Sequence, residues 1–258
     1  MQNTTALITG ASGGIGYEFA KILAKECTTL VLVSRNKDRL LQIKQELEVA
    51  GKATVVVVAK DLSFPGAPDE IYRELREQGI AVDILINNAG FGGHGAFSER
   101  TWEDDSAMIA VNITAVTHLA KLFVPGMVER KRGRIMNVAS TAALLPGPFM
   151  AVYYASKAYV LSMSEALANE LQGTGVTVTA LLPGPTATNW ALTASVDHAR
   201  LFRMLKPASA ADVASYGYAA LMKGKTVAIH GMMNKIMASS LRTAPRKLLT
   251  KIVRWLHE

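Results

Sequence analysis

The chain has 258 residues, half of them hydrophobic and 19% charged, which supplies a full core and excludes a disordered composition. Cys27 is the single cysteine, so neither an internal disulfide nor a cysteine metal cluster is possible. The net charge of +7 is uneven: positions 231–258 carry six Lys/Arg and one acid, a net of +5, while the remainder is nearly balanced, which argues against a nucleic-acid-binding body.

Strand-like and helix-like patterns alternate without a composition break, so one α/β domain is expected. The first residues run straight into a strand-like stretch, with no basic start and apolar leader. No apolar run approaches the length that spans a bilayer, and the expected location is cytoplasmic.

Thr4 to Thr9 is a short apolar run, ended by Gly10-Ala-Ser12-Gly-Gly14-Ile15-Gly16. A helical pattern follows through Phe19, Ile22 and Leu23 to about Glu26. Strand, glycine loop and helix is the context of a phosphate-binding loop, where glycines let the backbone approach a pyrophosphate and the helix N-terminus meets its charge. Thr28 to Ser34 is the second strand. Near its end an acid would hold a free ribose 2′-hydroxyl, whereas an arginine accepts a 2′-phosphate. Here the chain reads Ser34-Arg35-Asn36, with no acid until Asp38, which favours NADP(H) and leaves NAD(H) possible. The alternative is that Arg35 is a solvated residue at a helix start.

Asn36 to Gly51 reads as an amphipathic helix, Thr54 to Val58 as a strand covered on both faces, and Pro65 to Gln78 as another helix. Val82 to Ile86 is the fourth strand, closed by Asn87-Asn88-Ala-Gly90 where parallel sheets bind ligands. Phe91 to Gly95 continues as a flexible loop, in which His94 is expected to be solvated. Glu99 to about Arg130 is long and mostly helical, and Pro125 should kink or end it. Asn112 lies in an apolar stretch and needs partners: it either bends the helix with an ordered water or bonds a neighbouring backbone, the second being expected. Gly133 to Ala139 is the fifth strand and delivers Ser140. Met150 to Gln172 is a helix, Gly175 to Leu182 the sixth strand, and Ala208 to Met222 a helix capped by Ser209. Lys225 to Ile229 is a last short strand.

Tyr153 and Lys157 are four apart and share one helix face. A tyrosine titrates near ~10 in water, and a lysine cation beside it lowers that value. The pair is a proton donor and acceptor suited to carbonyl-alcohol interconversion, with Ser140 holding the substrate oxygen as charge develops. An ordinary half-exposed helix turn has the same spacing.

Taken together, Thr9-Gly10-x-x-x-Gly14-x-Gly16, Asn87-Asn-Ala-Gly90, Ser140, Tyr153-x-x-x-Lys157 and Pro183-Gly184 stand in the order and spacing of a known family. Over roughly Thr5 to Ile229 the chain resembles the short-chain dehydrogenase/reductase family. The resemblance implies a single-domain Rossmann-type doubly wound parallel sheet of about seven strands, with helices on both faces. It implies Tyr153 as general acid and base, Lys157 on the nicotinamide ribose, Ser140 on the substrate carbonyl and Asn112 holding a water in a relay to the lysine. It implies a nucleotide site built from Gly10, Ser12, Gly14, Ile15, Arg35, Asp61, Leu62, Asn88, Gly90, Tyr153, Lys157, Pro183, Gly184, Thr186 and Thr188. The family often forms dimers or tetramers through its long helices. Many NADP-preferring members carry a second basic residue in the glycine loop, where this chain has Gly13.

Phe91 to Phe97, Thr141 to Met150 and Thr186 to Leu205 are the expected pocket walls, and their apolar character suits an apolar or amphiphilic ketone, aldehyde or alcohol. Thr186 to Leu205 is also a candidate lid. Residues 1–230 are read as the domain with the catalytic centre and 231–258 as a basic amphipathic extension packed on it. In that extension Leu248, Leu249, Ile252, Val253 and Leu256 form a helical stripe beside Lys247, Lys251 and Arg254. Packing on the body is favoured over contact with an anionic membrane surface. The expected function is an NADP(H)-dependent oxidoreductase, the rivals being a nucleotide-holding redox sensor without turnover and a membrane-surface protein acting through the tail.

Overall fold

The structure, a computed structural model, describes residues 4–188, 194, 207–241 and 245–258. Six strands, β1 (Thr5–Thr9), β2 (Thr29–Ser34), β3 (Thr54–Ala59), β4 (Ile84–Asn87), β5 (Gly133–Val138) and β6 (Val176–Leu182), follow one another through the chain. Two-residue strands β7 (Thr186–Ala187) and β8 (Ala208–Ser209) pair with each other, and β9 (Val227–Ile229) comes last. The main sheet is parallel throughout, in the order β3-β2-β1-β4-β5-β6-β9. The order reverses direction between β1 and β4, the point at which a doubly wound sheet opens its ligand crevice.

The sheet is covered on both faces, which is why its strands are continuous apolar runs. Leu30 and Leu32 of β2 turn to one core and Val31 and Val33 to the other, as the two-residue period of a strand demands. The first core is closed by α1 (Gly14–Glu26), α2 (Lys37–Ala50) and α7 (Ala210–Met222), through residues such as Phe19, Leu40 and Val213. The second is closed by α3 (Ala67–Glu77), α5 (Val116–Glu129) and α6 (Ala151–Glu170), through Ile71, Leu75, Leu119 and Leu167. A fully buried side chain such as Phe19 contributes about 1.5–3 kcal/mol by leaving water.

Four local expectations change. The long helix is α4 (Trp102–Ile109), a π-helical turn at Ala110–Ala115 and then α5, and it runs on past Pro125 to Glu129. This helix, Trp102–Glu129, is long and apolar enough by length and composition to cross a membrane, contrary to the sequence reading. Its Met108, Val111, Leu119, Phe123 and Met127 are buried against the protein's own core. Ser209 does cap α7, accepting from Asp212 N at 3.0 Å, but Ala208 pairs with Thr186 rather than joining the helix. The tail forms α8 (Met232–Ser240), with no buried residue, and α9 (Arg246–His257). In α9 the buried residues are Leu249, Val253 and His257, while Leu248 and Ile252 are exposed, so the apolar stripe is split between the body and solvent.

Candidate active site

The loop after β1 and the loop after β4 are tied together at the crevice. Asn88 Nδ2 donates to Thr9 O at 3.0 Å and to Gly10 O at 3.2 Å, and Thr9 Oγ1 accepts from the Asn88 and Ala89 amides at 3.0 Å each. Asn88, expected along the ribose, therefore also fastens the glycine loop. Gly16 is obligatory there: a Cβ would fall 2.4 Å from Gly10 O and 2.5 Å from Asn88 Nδ2. Helix α1 starts with no side-chain cap and no acid in its first turn, leaving its amides to meet an anion.

A cavity of about 570 Å³, within the usual range of ligand sites, collects the strand ends. It is lined by Gly10, Ser12, Gly14 and Ile15 after β1, Arg35 after β2, Asp61 and Leu62 after β3, and Asn88 and Gly90 after β4. Ser140 after β5, Tyr153 and Lys157 of α6, and Pro183, Gly184, Thr186 and Thr188 after β6 complete it. Of the expected catalytic and nucleotide-binding residues, Asn112 alone lies off this lining. Ser34 Oγ at the end of β2 is buried without a hydrogen-bond partner among the described residues, and it lies beside exposed Arg35. Lys60 also lines the cavity but pairs with Glu70 Oε2 at 2.5 Å. A hydroxyl lacking a partner, an exposed guanidinium and an uncapped helix start fit the phosphates and ribose of a dinucleotide.

Tyr153 and Lys157 are both buried, and the Tyr153 side chain is hydrogen-bonded by Ser140. Ser140 Oγ also accepts from Ala142 N at 3.1 Å, which fixes the short 3-10 turn Thr141–Leu144. Burial pushes the Tyr153 phenol up to about 12, and the Ser140 hydrogen bond opposes this. Burial pushes the Lys157 ammonium down to about 8. The expected lowering of Tyr153 by its lysine is therefore reversed. Lys157 Nζ donates to Val138 O at 2.8 Å and stands 5.9 Å from the Tyr153 ring centre, while desolvation acts on the phenol directly.

Asn112 sits in the π-helical turn, fully buried. Its Oδ1 accepts from Phe91 N at 3.1 Å, and its Nδ2 donates to Phe91 O at 2.9 Å and to Ser156 Oγ at 3.0 Å. The backbone-bonding reading thus holds, on a residue that stands in a π-helical turn. Asn112 Oδ1 and Lys157 Nζ approach to 3.1 and 3.2 Å of the point where a Gly90 side chain would begin, so any larger residue there would crowd both groups. Sequence reasoning missed Ser156, and also the buried chain Asn87–Asn137–Ser164, whose side-chain hydrogen bonds of 2.9 Å join β4, β5 and α6.

Tyr154 and His257 also line the cavity and were not foreseen. The Tyr154 hydroxyl lies 2.7 Å from His257 Nε2 at the end of α9. His94 is not simply solvated: its Nε2 donates to His257 O at 3.2 Å, and its ring stacks on that of His257. Among the expected walls, Phe91, Thr141, Ala142 and Met150 line the cavity, but Phe97 is 73% exposed and lines a separate shallow depression. The expected lid from Thr186 to Leu205 lies, apart from its first residues and Ala194, outside the described residues.

The sequence model of the short chain dehydrogenase family matches residues 4–198. A ketoacyl reductase of Nostoc sp. is 35% identical over 180 residues, covering 70% of this chain and 62% of that one. A very-long-chain 3-oxoacyl-CoA reductase of Homo sapiens is 34% identical over 192 residues, covering 72% and 60%. The chain spans about three fifths of the length of these curated relatives. Among solved structures, a short-chain dehydrogenase from Sphingobium yanoikuyae in complex with NADPH superposes with a TM-score of 0.83 at 32% identity, covering 93% of each chain. One from Burkholderia phymatum in complex with NAD gives 0.80 at 28%, covering 93% and 92%. With the family model matching most of its length and the same parallel sheet recurring in these structures, the chain belongs to the short-chain dehydrogenase family.

Proposed function

We propose that this chain is an NADP(H)-dependent oxidoreductase that interconverts a carbonyl and a secondary or primary alcohol on an apolar or amphiphilic small molecule. The observation that carries this is the meeting of Tyr153, Ser140 and Lys157 in the cavity that also holds the glycine loop. Gly10, Ser12, Gly14 and Ile15 hold the pyrophosphate, and Ser34 with Arg35 receives the 2′-phosphate. The nicotinamide nucleotide, when bound, supplies or accepts the hydride. The NADPH of the Sphingobium structure and the NAD of the Burkholderia structure support NADP(H) as favoured and NAD(H) as possible.

Tyr153 gives its proton to the carbonyl oxygen in reduction and takes one back in oxidation. A phenol pushed up to about 12 is protonated at neutral pH, the form a donor needs in reduction. Ser140 holds the substrate oxygen as charge develops on it. Lys157 binds the nicotinamide ribose, and Asn112, facing it across Gly90, supports the proton relay that recharges Tyr153. Phe91, Val111, Ala142 and Met150 give the cavity apolar walls. Relatives named for ketoacyl, bulky ketone and hydroxysteroid chemistry support a substrate of that character. The protein works in the cytoplasm, where its one buried cysteine stays reduced, as a homodimer or homotetramer packed through α5 and α6.

The test is a panel of ketones, aldehydes and alcohols followed by nicotinamide absorbance with both NADPH and NADH. Tyr153→Phe is expected to lose turnover by about 10²-fold or more while still binding the nucleotide. Full turnover in that variant refutes the mechanism.

A further inference from the structure

Tyr154 and His257 line the same cavity as Tyr153, yet the chemistry above uses neither. The Tyr154 ring lies 6.1 Å from the Tyr153 ring, and the His257 ring lies 5.4 Å from that of Tyr154. Their polar atoms meet at 2.7 Å, Tyr154 Oη to His257 Nε2, and among the described residues this is the only hydrogen bond of the Tyr154 hydroxyl. His257 Nδ1 is buried with no partner among the described residues. A neutral imidazole carries one proton, and a buried N–H without an acceptor is harder to tolerate than a lone pair without a donor. The proton therefore belongs on Nε2, which donates it to the Tyr154 oxygen. That leaves the hydrogen of the Tyr154 hydroxyl unspent on a group that lines the cavity.

The end of α9 is held in place to do this. Val253 packs in one cluster with Met150, Tyr153 and Tyr154, and His94 Nε2 donates to the His257 carbonyl. Burial, with the repulsion of the neighbouring His94 ring, pushes His257 down to about 4, so the ring stays neutral around pH 7. Helix α9 lies beyond residues 4–198, so this feature is not part of the stretch that the family model matches.

We propose that the Tyr154 hydroxyl, oriented as a donor by His257, is a second recognition point in the substrate pocket, and that it selects ketones bearing another acceptor oxygen a few bonds from the reacting carbonyl. This assignment rests on the reading of the cavity as a carbonyl-reducing site. His257 is a positioning residue in it, and Tyr154 makes the contact.

Binding measured with oxidised nucleotide separates recognition from turnover, because no hydride is then available to a ketone. The probes are ethyl acetoacetate and 2-heptanone, chains of equal length with and without the second carbonyl, titrated into the full-length protein saturated with NADP⁺. The wild type is expected to favour the keto ester about tenfold, as one additional hydrogen bond in a desolvated pocket gives. Tyr154→Phe and His257→Ala bring the ratio of the two affinities close to unity, and His257→Gln, whose amide N–H replaces that of Nε2, recovers part of it. No preference in the wild type, or a ratio that survives Tyr154→Phe, overturns the assignment. So does a His257→Ala variant that weakens both probes equally, which is the mark of a purely structural residue. A wild type that shows the preference but oxidises no NADPH with either probe refutes the carbonyl-reducing reading and leaves the recognition point standing.

Discussion

Asn112 Nδ2 donates to Ser156 Oγ at 3.0 Å, and Ser156 Oγ in turn donates to the Tyr153 carbonyl at 2.7 Å. The π-helical turn between α4 and α5 is thereby bolted to the turn of α6 that presents the phenol. Asn112→Ala removes this bond and strands both the amide and the carbonyl of Phe91, which Asn112 also satisfies. A loss of about 2–3 kcal/mol in urea unfolding is expected, with about 1 kcal/mol for Ser156→Ala. A change below about 0.5 kcal/mol in Asn112→Ala would show that water replaces the amide at no cost.

The Lys157 ammonium, pushed down to about 8 by burial, loses its proton as pH rises through that value. Below it the charge is present and the ribose contact proposed for it is intact. The value of kcat/KM for ketone reduction, which reports the free enzyme, is expected to be level from about pH 6 to 7.5 and to fall above about 8. Tyr153 at about 12 remains protonated throughout, so it adds no fall in that window. A profile that rises through pH 8 in the reduction direction would remove Lys157 from the role.

What was legible in the sequence follows from what sequence patterns encode. Residues that close a strand or open a helix announce themselves through glycine, proline and short polar types, and the singled-out positions at the ends of β1, β4, β5 and β6 all line one cavity. Strand order was not legible: nothing in the periodicity of β1 says that it lies between β2 and β4, and the family resemblance implied no more than a doubly wound sheet. Contacts made across long separations were equally hidden. The tail stripe was read through Leu248, Leu249, Ile252, Val253 and Leu256, yet the buried set is Leu249, Val253 and the unforeseen His257, at intervals of four. Desolvation also cannot be seen in a motif, which is why Tyr153 moved in the direction opposite to that read from its lysine.

Arg35 is exposed at the lip of the cavity, and no carboxylate pairs with it among the described residues, whereas Lys60 nearby is taken by Glu70. Arg35→Ala is expected to weaken NADPH binding about tenfold or more, the worth of a charge-assisted contact to a phosphate, and to change NADH binding by less than about twofold. Fluorescence titration of both nucleotides measures it. Equal weakening of the two would mean that Arg35 shapes the loop rather than reading the 2′-phosphate.

His257 links the tail to acid stability. Burial lowers its folded pKa to about 4 from the ordinary value near 6.5, so between these values the unfolded chain binds a proton that the folded one does not. The sign follows: this contribution is complete above about pH 6.5, declines as pH falls through the window, and is spent near pH 4. Protonation also places a second proton on the imidazole, on the nitrogen that has no acceptor. The melting temperature of the wild type is therefore expected to drop more between pH 7 and pH 4.5 than that of His257→Phe, which cannot titrate and keeps a ring of similar reach. Parallel melting curves for the two proteins across that range would mean that the ring is not held neutral.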